Sequence, residues 1–362
     1  MRVKEEGKQK DGRDCPTSLS IYLAVLFCFF LSSPRTGRTE TLKPLRMGVV
    51  GYEGHGALFA RELNAGLGAK IGLAVTHVWH RDPIAPEEKG KYGFVVVSSP
   101  EEMIGKVDGV FIAETLPFRY PRLAAPFIKA GVRTFLNRPL AASAEEAAKL
   151  IKLGRDAGNP VLAASALAVD PGVLEIRRVR ADFAPLKVVN VTGPSDHFWN
   201  YVPHLISALV GALGPGIEEI QTHDLSLDQE GILIRNPLIV FFRYGAASDI
   251  GPARGTLQMV PGGGSGDWYG FRMKLYGSKE SPEYELFRTA EGESAWMPTY
   301  RVLMDFFSQG KRPLNDAHLF EVPLVLDMIK KSGIEKRPVL RSEYRAVFSL
   351  LDPAASETTL DR

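Results

Sequence analysis

The chain has 362 residues, of which 45% are hydrophobic and 24% are charged, a composition typical of globular proteins. Its formal net charge of +2 gives no indication of a nucleic-acid or strongly acidic partner. Both cysteines, Cys15 and Cys28, lie near the amino terminus, which excludes a disulfide framework, a Cys-ligated zinc site and a thiol nucleophile in the body of the chain.

An uncharged apolar run, Leu19–Leu31, precedes the body of the chain. It is short for a membrane-spanning helix and suits the core of a signal peptide. Acidic residues dilute the positive charge before it, and no clear cleavage site follows. We expect this run to direct export or membrane anchoring. A cytoplasmic protein whose residues 1–43 are an extension from an upstream start codon is the alternative.

Strands and helices then alternate up to about residue 165. The predicted strands are Met47–Val50, Ile71–Trp79, Val95–Val97, Asp108–Ala113 and Arg133–Leu136. Helical patterns begin near Ala57, near Tyr120 and at Ser143, where Ser143 and Glu146 fit a capping box. This alternation predicts an α/β domain with a doubly wound parallel sheet over residues 44–165.

The pattern changes beyond residue 165. Extended segments follow one another mainly through turns, at Leu186–Val191, Ile217–Leu225, Ile232–Tyr244, Gly255–Val260 and Trp268–Tyr276. Helical segments are predicted at about 172–182, 203–213, 297–309 and 318–332. This predicts an α+β domain with a mainly antiparallel open sheet over residues 166–345, followed by a tail, 346–362.

Several strings resemble the glucose–fructose oxidoreductase and inositol dehydrogenase family (Gfo/Idh/MocA). They are MGVVGYEGHG, WHRDP, AGVRTFLNRPLAASAEEAAKLIKLGRDAG, VDPGV and FFSQGKRP. The resemblance covers about residues 45–340. It implies a Rossmann domain that binds NADP or NAD, a second domain that binds substrate, and a homo-oligomer formed through the open sheet. The implied substrate is a sugar, a polyol or a related hydroxy compound.

The turn after the first strand carries Gly51, Gly54 and Gly56. Glycines there let backbone N–H groups and a helix N-terminus approach a pyrophosphate. Glu53 stands at the second glycine position of G-x-G-x-x-G, where a carboxylate repels phosphate unless it turns outward. A strand–helix turn without a ligand is the alternative.

The second strand ends with His80 and Arg81, where NAD-binding family members usually have an acid for the ribose hydroxyls. Arg81 could accept the 2′-phosphate of NADP, so this position favours NADP over NAD. A solvated strand end is the alternative. Thr115, after the fourth strand, is also expected to contact the cofactor.

The fifth strand ends with Asn137, Arg138 and Pro139, where the family usually has Glu-Lys-Pro. The resemblance puts Asn137 and Pro139 beside the cofactor and Arg138 beside the reacting oxygen. Arginine can stabilise an alkoxide or hold a carboxylate, but it is a poor proton shuttle. The turn is therefore predicted to be a substrate clamp or an anion site, with a surface cation as the alternative.

In the second domain the family commonly shows Asp-x-x-x-His-x-x-Asp, and this chain has Asn200, His204 and Ser207. His204 is the predicted proton-transfer residue. Asn200 and Ser207 are predicted to contact the substrate, together with Tyr120, which stands roughly where many members have a histidine. A histidine that only packs is the alternative for His204. No His/Asp/Glu spacing indicates a metal site.

These residues lead to two hypotheses. The first is an NAD(P)-dependent oxidoreductase in which His204 moves the proton and Arg138 holds the oxygen. The second is a catalytically inactive member of the same fold that binds a nucleotide or a carbohydrate. Four departures from the family pattern favour the second hypothesis together more than any one of them does alone. They are Glu53, His80, Asn137-Arg138 and the missing acids around His204.

Overall fold

The computed structural model describes residues 43–194, 196–261, 270–288 and 294–351. Lys43–Arg362 forms one compact unit, and the described part of it contains two sheets. The apolar run Leu19–Leu31 lies outside the described residues. Among the residues that are described, no helix is both long and apolar enough to cross a membrane.

The first sheet has six parallel strands in the order β3-β2-β1-β4-β5-β6. They are β1 Leu45–Val50, β2 Leu73–Trp79, β3 Val95–Val96, β4 Gly109–Ile112, β5 Arg133–Asn137 and β6 Leu162–Ala164. The predicted parallel α/β sheet is confirmed. The sequence prediction missed β6, because Leu-Ala-Ala has neither β-branched residues nor alternation.

Five helices accompany this sheet. They are α1 Gly54–Glu62, α2 Gly68–Ile71, α3 Pro86–Tyr92, α4 Tyr120–Lys129 and α5 Ala144–Asp156. The side chain of Ser143 accepts the N–H of Glu146, so the predicted start of α5 is confirmed. Strand β4 is buried along its whole length, which is why it reads as a continuous apolar run.

The strand order reverses between β1 and β4, so the chain turns to opposite sides of the sheet at these two strands. A crevice opens at such a point beyond the carboxyl ends of the strands, and open α/β sheets bind ligands there. Gly51 follows β1 and Ala113 follows β4, so the residues just after these two positions face the crevice.

The second sheet has seven strands in the order β12-β11-β7-β10-β9-β8-β13. They are β7 Val188–Pro194, β8 Ile217–His223, β9 Leu238–Tyr244, β10 Arg254–Val260, β11 Phe271–Tyr276, β12 Tyr284–Leu286 and β13 Val339–Leu340. Neighbouring strands are antiparallel except β7 and β10, which pair in parallel. The expectation of a mainly antiparallel sheet is therefore confirmed.

The remaining helices are α6 Pro171–Val179, α7 Phe198–Leu213, α8 Met297–Gln309, α9 Asp316–Glu335 and α10 Arg345–Leu351. Helix α7 begins five residues before its predicted start at residue 203, because His197 caps it by accepting the N–H of Asn200. Asn200 therefore lies inside the helix. The expected tail begins with α10, whose Leu351 carbonyl accepts a hydrogen bond from Arg155 of α5 at 2.8 Å.

Candidate functional site

A cavity of about 240 Å³ lies at the carboxyl ends of β4 and β5, against α7 and the second sheet. It brings together six of the predicted site residues, which are Gly54, Thr115, Asn137, Arg138, Asn200 and His204. Asn137 is the last residue of β5 and His204 lies in α7, so the walls come from both halves of the chain.

Arg138, His204 and Ser165 form a hydrogen-bonded chain along one wall of the cavity. Arg138 Nε donates to His204 Nε2 at 3.0 Å. Because a guanidinium can only donate, His204 Nε2 is an acceptor and its ring proton is on Nδ1. Nδ1 donates this proton to Ser165 Oγ, and the two atoms are 2.5 Å apart. The same oxygen also accepts the backbone N–H of Leu167. Both ring nitrogens of His204 are therefore engaged.

Burial and the nearby Arg138 cation lower the pKa of His204 well below its ordinary value, and the proximity of His55 adds to this effect. The histidine is therefore neutral at pH 7, and its lone pair is directed to Arg138. A general acid or base needs a free lone pair or a proton that it can release near neutral pH. In this arrangement both ring nitrogens of His204 are engaged, and Nε2 holds the Arg138 side chain by accepting from its Nε.

Arg138 places a cation at the wall of the cavity. Among the described residues, no Asp or Glu oxygen lies within ion-pair distance of it, and its one hydrogen bond is the Nε contact with His204. Burial lowers the pKa of Arg138 to about 10, so it keeps its charge at neutral pH. A buried cation is costly unless an anion compensates it. The cavity is therefore suited to an anionic group at Arg138.

His55 and Trp296 also line the cavity, and neither was predicted from the sequence. The His55 ring packs edge-on against Trp296, with ring centroids 4.4 Å apart. His55 Nδ1 lies 3.1 Å from Asn137 Oδ1. Burial and the Arg138 cation lower the pKa of His55 to about 3, so this histidine is also neutral.

The glycine-rich turn has the tight geometry that the sequence predicts at two of its glycines. Gly51 has a φ of +95°, and a Cβ on Gly56 would lie 1.9 Å from the Gly51 carbonyl oxygen. Both positions therefore require glycine. Gly54 opens α1 with a φ of +46° and faces open space.

Glu53 turns toward the crevice instead of outward. Its Oε1 accepts the backbone N–H of Thr115 at 2.9 Å, and its Oε2 lies 4.0 Å from Arg81. Burial alone would raise the pKa of the Glu53 carboxyl, but the Thr115 hydrogen bonds and the charges of His80 and Arg81 outweigh it and lower the pKa. The side chain is therefore a carboxylate that spans from the β1–α1 turn to the end of β4.

His80 and Arg81 were predicted to contact the cofactor. In the structure both side chains make contacts within the chain. His80 Nδ1 accepts the N–H of Tyr52, inside the glycine-rich turn. Arg81 pairs with Asp82 at 3.3 Å, in addition to its contact with Glu53. Arg81 therefore has two acidic neighbours where an NADP phosphate would need its charge.

Seven of the thirteen predicted site residues do not line the cavity, and Tyr120, Ser207 and Pro139 are among them. Tyr120 is fully buried, and its hydroxyl donates to the Glu114 carbonyl, because α4 packs its first turn into the core. Ser207 lies one turn after His204 and, with Pro139, faces a separate void of about 20 Å³. The Arg138–Pro139 peptide is cis.

The residues present do not fit a dinucleotide as the turn stands. Gly51 and Gly56 supply the tight turn, but Glu53 places an anion on the Thr115 N–H, where a pyrophosphate would need donors. Glu114, which is 4% exposed, adds a second acidic side chain to the cavity wall. Within the described residues no group of three His, Cys, Asp or Glu side chains could hold a metal ion.

Comparison with known families agrees with this architecture. Residues 45–165 match the family model described as "Oxidoreductase family, NAD-binding Rossmann fold" (GFO_IDH_MocA). Over these residues the chain resembles that family. This part of the chain has the parallel sheet of a Rossmann fold, although its second glycine position holds Glu53. No curated protein matches the chain.

Solved structures extend the similarity to the second domain. GenD2 from gentamicin A biosynthesis, in complex with NAD, has a TM-score of 0.68 at 16% identity over 83% of this chain and 97% of that one. The myo-inositol 2-dehydrogenase of Lactobacillus plantarum has a TM-score of 0.66 at 14% identity over 82% and 99%. The scyllo-inositol dehydrogenase of Lactobacillus casei has 0.67 at 12% over 83% and 99%. At such identities the likeness shows the fold alone.

Proposed function

We propose that the chain binds a small hydroxylated carboxylate, such as a sugar acid, without transferring a hydride. The observation that carries this proposal is the pairing of Arg138 with a neutral His204. The guanidinium has donors left for a carboxylate, since only its Nε is used. Neither the Arg138 guanidinium nor the neutral His204 is poised to exchange an alcohol proton at neutral pH.

The rest of the cavity suits the hydroxylated part of such a ligand. Asn137 and Asn200 supply amide groups that can donate to and accept from hydroxyls. Trp296, Phe287 and Tyr201 supply aromatic surface on the same walls, and aromatic rings pack against the apolar faces of sugars. A charged anchor with a few polar groups among apolar walls is the usual composition of a small-molecule site.

An oxidoreductase that acts on a sugar, a polyol or a related hydroxy compound is the second candidate. The position of the cavity at the carboxyl ends of β4 and β5 favours it, as does a cation that can stabilise oxyanion charge without a proton transfer. In that case NAD suits the turn better than NADP, because Arg81 already has Glu53 and Asp82 as neighbours.

One set of titrations separates the two candidates. The purified chain is titrated with D-gluconate, D-glucuronate, D-glucose and myo-inositol, each with and without NAD⁺ or NADP⁺, while absorbance of the reduced nicotinamide is followed. We expect the two acids to bind, the two neutral compounds to bind much more weakly, and no reduced cofactor to form. Turnover of any of the four compounds would refute the binding function and support the oxidoreductase.

We also infer that the chain forms a homo-oligomer through the open face of the second sheet. Phe241 is 48% exposed, Ile239 is 40% exposed and Val188 is 39% exposed on that sheet. Ile239 and Phe241 alternate with the buried residues of β9, so both lie on the same face. Contiguous exposed apolar residues commonly mark a contact with another protein surface. The family resemblance implies that a second copy of the chain covers this face of the sheet.

A further inference from the structure

We propose that Glu53 is a tethered anion that closes the dinucleotide crevice and sets its affinity for nicotinamide dinucleotides. The residue leaves the β1–α1 turn and reaches Thr115 beyond β4, so its side chain crosses between the two strands where the sheet order reverses. A dinucleotide in a Rossmann domain lies across this same point. The carboxylate therefore takes the position that an anionic ligand would need.

Two contacts hold the carboxylate in place. The backbone N–H of Thr115 donates to Glu53 Oε1 at 2.9 Å, and the Arg81 guanidinium lies 4.0 Å from Glu53 Oε2. A hydrogen bond between a backbone N–H and an ionised carboxylate is stronger than a neutral one. A dinucleotide must break this bond and turn the side chain out, and it then meets a negative charge beside its own phosphates.

The backbone does not impose this arrangement. Glu53 has φ −141° and ψ 160°, which is ordinary extended geometry, and its side chain makes no capping hydrogen bond to α1. Replacement of Glu53 therefore removes the Thr115 contact without a need for the turn or the helix to change. This separates the role of Glu53 in ligand selection from a role in folding.

The inference is independent of the proposed ligand at Arg138, because it rests on the turn, Thr115 and Arg81. The test uses full-length wild type, Glu53→Gly, Glu53→Gln and, as a matched control, Glu87→Gln. Glu87 is an exposed acid in α3 with no hydrogen bond or ion pair found for it among the described residues. NADH and ADP-ribose are the probes, followed by nicotinamide fluorescence and by calorimetry, and circular dichroism verifies the fold of each variant.

We expect Glu53→Gly to bind both probes at least about tenfold more tightly than wild type. This is the change in affinity expected when the ligand no longer has to break one charge-assisted hydrogen bond. Glu53→Gln should fall between the two, because the amide keeps the bulk and loses the charge. Glu87→Gln should match wild type. Equal affinity in wild type and Glu53→Gly would overturn the proposal, as would a gain in Glu53→Gly with none in Glu53→Gln. The sugar-acid titration is measured separately, so its failure leaves this result unaffected.

Discussion

Acidification should destabilise the fold through His55, because this histidine is neutral in the folded chain. Its pKa falls from an ordinary value near 6.5 to about 3, owing to burial and to the Arg138 cation. The unfolded chain protonates His55 below about pH 6.5 and the folded chain does not. Protonation of His55 in the unfolded chain therefore leaves the free energy of unfolding unchanged above about pH 6.5 and lowers it as the pH falls below that value. At pH 5 the loss is about 2 kcal/mol for this one histidine.

The assay is urea unfolding followed by tryptophan fluorescence at pH 7 and at pH 5. Wild type is compared with His55→Gln and with His223→Gln, in which an exposed histidine is replaced. The decrease in the free energy of unfolding between the two pH values should be about 2 kcal/mol smaller in His55→Gln than in the other two proteins. Equal decreases in all three proteins would refute the neutral state of His55. The pKa of His204 is lowered by the same two causes, burial and the Arg138 cation.

Two further predictions concern the core and the open sheet. Glu321 is fully buried and accepts hydrogen bonds from the backbone of Gly216 and Ile217 and from Arg341, so Glu321→Ala should lower the free energy of unfolding by about 3–5 kcal/mol. Urea unfolding measures this, and a loss below about 1 kcal/mol would contradict the structural role. Phe241→Glu should convert a homo-oligomer to a monomer in light scattering, and a monomeric wild type at high concentration would exclude the oligomer.

The sequence predicts the Rossmann half well, because its signals are local. Alternating apolar runs and helical patterns, and the capping serine at Ser143, depend only on neighbouring residues. The resemblance also relates Arg138 to His204, which lie 66 positions apart and come within 3.0 Å. The extent of α7 was less predictable. Its start depends on the His197 cap, and its nearly complete burial leaves no polar face to mark the ends.

The chemistry of the site depends on directions that a sequence pattern does not contain. Glu53 was expected either to block the turn or to point outward, and its bond to Thr115 depends on how close β4 lies to β1. Ser165 and Trp296 reach the site through tertiary packing, and no motif marks them. Ser207 follows His204 by three positions, but in the helix it faces a different void from the main cavity.

The most direct test of the account is calorimetric titration of D-gluconate and D-glucuronate into wild type, Arg138→Met, Arg138→Lys and Arg122→Met. Arg122 is an exposed arginine of α4 and serves as the matched control. Loss of the charged hydrogen bonds at Arg138 should weaken binding of the acids by about tenfold to a hundredfold in Arg138→Met. Arg138→Lys should keep part of the affinity, because lysine supplies the charge without the planar fork, and Arg122→Met should match wild type. Binding of the acids that is unchanged in Arg138→Met, or that is absent in wild type, would contradict the assignment of Arg138 as the anion anchor of the cavity.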